Sequence, residues 1–254
     1  DLSQFSPEMF CRTNVIVHNF VSFWKNPLRD TLEPLADAER MGIEYGDIDF
    51  SQLAAISTCV NGFIVGLDLN TLNSNFEVKN KKADEFNQTP TLMMGSIFHQ
   101  GVRNLLQPGR QPWILNGDVY DENEQLKIHR EARDFTSITN VYVTKTMLAL
   151  LFRQYDLAFE YAQQARQSLD ALVSSPLIPL FTALESIAYI QQLPRVKPSK
   201  TLVLQFRIRK NLRNLRKWAQ HAPMNVGHLY HLVQAELART NQQPIQAIDH
   251  FEIA

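Results

Sequence analysis

LLFRQYDLAFEYAQQA, residues 150–165, sets three alanines at a fixed interval: Ala158, Ala162 and Ala165. Steps of four and three residues return a side chain to the same face of an α-helix. With alanine at all three points that face is nearly flat, so another helix can lie close against it. Arg153-Gln154-Tyr155-Asp156 reads as a turn between two helices, with Tyr155 as an aromatic at the joint. The interval recurs at the far end of the chain as Ala247, Phe251 and Ala254. These six residues are the expected packing faces of a repeated helix pair.

The spacing resembles the second helix of tetratricopeptide repeats. Their Trp-x2-Leu-Gly opening is absent. A plain helical bundle is the competing reading, because small-residue faces also occur there. A stack explains the length better, since each pair buries its face only against its neighbours. The expected fold is therefore all-α, a TPR-like α-solenoid of antiparallel helix pairs with 11–12 helices.

Working outward, helical periodicity covers nearly the whole chain. Ser6 with Pro7 reads as a cap and first turn, followed by a face of Phe10, Asn14, Val17, Val21 and Trp24. Asn26-Pro27 ends that helix. With Thr31 as the N-cap of the next, Pro34 falls where its missing N–H is harmless; the alternative is a kinked helix starting near Leu28. Gly46-Asp47 reads as a stop and a new cap. Further helices are expected from Asp49, Leu69 and Thr89, after Asp121 and after Ser175-Pro176, from Ser199, and at Pro223 and Pro244. Residues 107–116, with Pro108, Gly109 and Pro112, form the clearest loop and a weak internal boundary in what reads as one domain spanning 1–254. Trp113 in that loop is expected to pack on a neighbouring helix.

The chain has 254 residues, a net charge of −1, 44% hydrophobic and 20% charged residues. That composition supports a folded core and gives no global pull toward polyanions. Cys11 and Cys59 belong to no CxxC pair, which fits a reducing cytoplasm. No apolar run reaches the ~18–20 residues of a membrane span. The start at Asp1-Leu2-Ser3-Gln4 and the end inside a helical pattern suggest an excised segment of a larger protein, whose cut ends would be sticky.

Motifs for chemistry are missing. There is no GxxxxGK[ST], GxGxxG, HRD, DFG or GxSxG sequence. No catalytic, cofactor-binding or metal-ligating residue is assigned. His228 and His231 share a helix face and His221 lies nearby, but no cysteine is near in sequence. His221 is expected to bond the end of its helix, and His18, His99, His129 and His250 read as isolated. The carboxylates Asp47, Asp49, Asp118, Asp121, Glu122 and Glu124 sit where helices begin, and read as dipole and capping groups.

The run 195–217 stands apart, with nine basic residues and no acidic one. It leaves −10 for the remainder of the chain, so internal acidic partners exist. Leu204, Ile208, Leu212 and Leu215 form an apolar stripe, with Arg209, Arg213 and Arg216 on another face. Arg207, Arg209, Lys210, Arg213, Arg216 and Lys217 are the candidate docking surface on a helix over 199–218. A solvated or internally paired face, a protein partner, nucleic acid and membrane are the readings, in that order.

Five further stretches are informative together: Phe23-Trp24-Lys25-Asn26-Pro27-Leu28, Gly42-Ile43-Glu44-Tyr45-Gly46-Asp47, Leu115-Asn116-Gly117-Asp118-Val119-Tyr120-Asp121-Glu122, His221-Ala222-Pro223-Met224-Asn225 and Leu232-Val233-Gln234-Ala235-Glu236. In order and separation they resemble the helical region after the AAA-type ATPase module of large bacterial and fungal proteins. Those proteins join a serine/threonine-kinase-like domain, the ATPase, this region and often a GAF domain with a sensor histidine kinase. The resemblance implies a non-catalytic module for contacts with flanking domains or other proteins in signal transduction, and carries over no catalytic residue. The alternatives are a nucleic-acid-binding helical domain and, last, an independent enzyme.

Overall fold

In a computed structural model, residues 7–172 and 174–254 are described, with side chains from Met9 onward. The expected caps at Ser6 and the start at Asp1 lie outside the described residues. Twelve α-helices follow in order: α1 (Pro7–Ile16), α2 (Leu32–Tyr45), α3 (Ile48–Ile64), α4 (Leu69–Glu85), α5 (Thr89–Leu106), α6 (Glu122–Glu131), α7 (Phe135–Leu151), α8 (Tyr155–Gln167), α9 (Leu177–Gln192), α10 (Pro198–His221), α11 (Pro223–Thr240) and α12 (Pro244–Ile253). The fold is all-α, and adjacent helices pack in pairs as in a helical repeat. Each odd-numbered helix also touches the next odd-numbered one, from α1–α3 to α9–α11. That is the pattern of a stack in which each unit leans on its neighbours.

The joints between helices repeat. At Gly66, Asn87, Arg133, Arg153 and Gln242 the backbone is left-handed, with φ between 54° and 73°. In each, the next residue's N–H donates back to a carbonyl five residues earlier. Examples are Gln88 to Ala83 at 2.8 Å, Asp134 to His129 at 2.8 Å and Gln154 to Ala149 at 2.7 Å. This closure satisfies orphan carbonyls at a helix end. Gly46 (φ 80°) is the expected stop before α3.

Ala158, Ala162 and Ala165 are fully buried in the largest core, which runs from α3 to α9. Ala247 is also buried, but Phe251 is 40% exposed and Ala254 is exposed. The second alanine face therefore holds only at its first position, because among the described residues no helix lies on the far side of α12. The same core includes residues on both sides of 107–116. Leu115 is buried in it and Trp113 packs against it, as expected. The loop is held by Asn104, whose Nδ2 donates to the Pro112 and Ile114 carbonyls at 3.0 and 2.7 Å.

The first helix departs from the expected register. After Ile16 the chain winds into a π turn over Val17–Val21 and a 3-10 turn over Ser22–Trp24. Already within α1 the buried positions are Cys11, Asn14 and Val15, so the face is offset from Phe10 before the wider turn; past that turn Val21 is exposed and Phe23 is buried. Thr31 does precede α2, but its hydroxyl donates to the Leu28 carbonyl (2.7 Å) and accepts from Asn61 Nδ2 (3.1 Å) instead of capping the helix.

Candidate protein-docking surface

The basic run forms α10, which starts with Pro198 in its first turn. Leu204, Ile208 and Leu215 are buried as the stripe requires, with Leu212 packed alongside. Between them lies buried Asn211, a polar residue the stripe did not announce. Its Nδ2 donates to Glu185 Oε2 at 2.7 Å and Ser186 Oγ at 3.1 Å. Glu185 is fully buried on α9 and gathers three helices. Arg166 of α8 grips it through Nε (2.7 Å) and Nη2, and Tyr189 donates its hydroxyl at 2.9 Å. Burial first, then the Glu185 charge, raises the Tyr189 pKa, so the phenol stays a donor. This node fixes the rotation of α10 and hence which side chains face outward.

The outward side chains are Arg207, Arg209, Lys210, Arg213, Arg216 and Lys217, all exposed. Among the described residues, no carboxylate lies within 4.0 Å of any of the six. Of the nine basic residues of the run, Arg195 alone makes such an internal pair among the described residues, its Nη1 meeting Asp156 at 3.1 Å. Nearer the start of α10, Leu202, Val203 and Phe206 are 70%, 56% and 63% exposed. At 100° per residue they share the outward face with Lys210, Arg213 and Lys217. The outward face thus carries an apolar end and a cationic end. The sequence pattern missed this because the buried stripe accounted for the apolar periodicity by itself.

The other candidates resolve differently. His228 and His231 do not converge: His228 lines a small cavity beside Phe23 and Leu28, while His231 Nδ1 lies 3.0 Å from His250 Nδ1 across α11 and α12. His250 is therefore not isolated. His221 is exposed, and the end of α10 closes through the Ala222 N–H to the Trp218 carbonyl at 2.8 Å instead. His99 is not isolated either. Its Nε2 is 3.0 Å from Asn73 Oδ1, and burial, helped by Arg103, pulls its pKa down to about 4. Among the described residues, no three His, Cys, Asp or Glu side chains are placed to hold a metal.

His129 Nδ1 lies 3.3 Å from Asp134, which resembles half of a catalytic triad. Burial nevertheless lowers its pKa against the pull of Asp134, and its buried Nε2 reaches no partner among the described residues. Ser137, on the same groove, meets Asp134 through its backbone N–H (3.0 Å) as a helix cap. Cys11 and Cys59 are buried, and burial pushes their thiols up to about 11 and about 12, away from nucleophilic thiolate. Glu122 is not a surface capping group. It is buried against Lys145 and accepts the Leu115 N–H at 2.7 Å, tying loop to core. Asp47 bonds Arg12 at 2.7 Å, while Asp121 does cap α6.

Against protein families, curated proteins and solved structures, the chain shows no match. No helix among the described residues is long and apolar enough to cross a membrane.

Proposed function

We propose that the chain is a non-catalytic helical-repeat docking module that holds acidic protein surfaces through the outward face of α10. The observation that carries this reading is the six exposed cations with no internal carboxylate, on a helix whose other face is fixed by Asn211 and Glu185. Unpaired cations on a rigid support are pre-organised for charge complementarity, which sets partner choice and on-rate. The resemblance to the region after AAA-type modules supports flanking domains of a cytoplasmic signalling ATPase or kinase as the partners. In that setting the stack passes conformational change between neighbours.

The test uses fluorescein-labelled polyglutamate as probe. Anisotropy is expected to show binding that weakens about tenfold or more when Arg209, Arg213 and Arg216 are each changed to Glu, because exposed charge pairs contribute roughly 0.2–1 kcal/mol apiece. Undiminished binding by that variant, or ATP turnover by the purified chain, contradicts the proposal.

The same unpaired cations, with Phe206 among them, also favour a second reading, nucleic-acid binding. It requires a single-stranded oligonucleotide to bind more tightly than polyglutamate, with a steep salt slope.

A further inference from the structure

The outward face of α10 is ordered along its axis. Leu202, Val203 and Phe206 lie toward its N-terminal end, with exposed Lys200 beside them, and the six cations from Arg207 to Lys217 follow. From Leu202 to Lys217 the face extends about 22 Å at 1.5 Å per residue. Resting on the docking reading, we infer that the partner is an amphipathic helix of about 16 residues that lies antiparallel on α10, acidic in its N-terminal half and apolar in its C-terminal half.

Three physical terms agree on that orientation. Antiparallel placement sets the two helix dipoles in opposition, which is their favourable side-by-side arrangement. It brings the partner's N-terminal half over Arg209, Lys210, Arg213, Arg216 and Lys217, where carboxylates are wanted. Acidic residues also stabilise the N-terminal turns of the partner helix itself. The partner's apolar half then covers Leu202, Val203 and Phe206, removing from water the side chains that α10 leaves exposed. A parallel partner would need its carboxylates at its own C-terminus, against its dipole.

The experiment compares two helical peptides of identical composition. One carries four Glu in its first half and Leu and Phe in its second, and the other has the halves exchanged. Each is titrated against the intact chain by anisotropy, with polyglutamate alongside. The first peptide is expected to bind about tenfold more tightly than the second, and the double change Leu202→Asp and Phe206→Asp is expected to erase that preference. Both positions are exposed, and a thermal melt by circular dichroism checks the fold of the variant. Equal binding of both peptides, with polyglutamate still bound, overturns the ordered partner while leaving the docking reading standing. Binding of neither peptide nor polyglutamate overturns both. Stronger capture by phosphatidylserine vesicles than by either peptide overturns the helical partner in favour of a lipid surface.

Discussion

Glu185 shows how one buried side chain sets a surface. It sits among Arg166, Tyr189 and Asn211, and all its contacts are between helices or along α9. Replacing Glu185 with Leu strands the Arg166 charge and leaves Asn211 without its main acceptor. The expected cost is about 3–5 kcal/mol, read as a lower urea midpoint, as for breaking a buried pair. His99 gives the pH dependence. Its folded pKa of about 4 lies below the ordinary value of 6.5, so between those values the unfolded chain binds the extra proton. Stability from this residue is complete above about pH 6.5 and declines as pH falls toward 4, by up to about 1.4 kcal/mol per pH unit. His99→Asn is expected to flatten that part of the stability–pH curve; an unchanged slope counts against the assignment.

At the scale of elements, alanine spacing and proline placement were legible. Ala158, Ala162 and Ala165 are buried where expected, and α5, α10, α11 and α12 each begin with proline in the first turn. Ala162→Leu is expected to cost about 1–3 kcal/mol by overpacking, measured by thermal or chemical denaturation. The recurring left-handed joints were not legible, because Arg133, Arg153 and Gln242 hold a conformation that sequence reading reserves for glycine or asparagine. The π turn after Ile16 escaped for a related reason: an extra residue in one turn leaves the hydrophobic count intact and only rotates it. Glu122 was misplaced because its position in a first helical turn already had a sufficient local explanation. The apolar end of the α10 outward face was hidden behind a buried stripe that satisfied the same periodicity.

At the scale of the whole molecule, the stack also closes on itself. Asn225, at the start of α11, accepts the Leu28 N–H at 2.8 Å and donates to the Phe23 and Asn26 carbonyls at 2.5 and 2.8 Å. Trp24 faces Trp218 with ring centres 6.0 Å apart. Two stretches noted separately in the sequence, 23–28 and 221–225, thus meet across almost 200 positions. Nothing in periodicity reports a contact of that range. Asn225→Ala removes all three bonds, with an expected loss of about 1–3 kcal/mol in urea unfolding.

The central claim is that the outward face of α10 is where this module takes hold of its partners. Lysine acetylation footprinting by mass spectrometry, with and without saturating polyglutamate, tests it most directly. Lys210 and Lys217 should be shielded while exposed Lys25 and Lys127 react as before. Uniform protection of all four, or shielding that spares Lys210 and Lys217, would contradict the account.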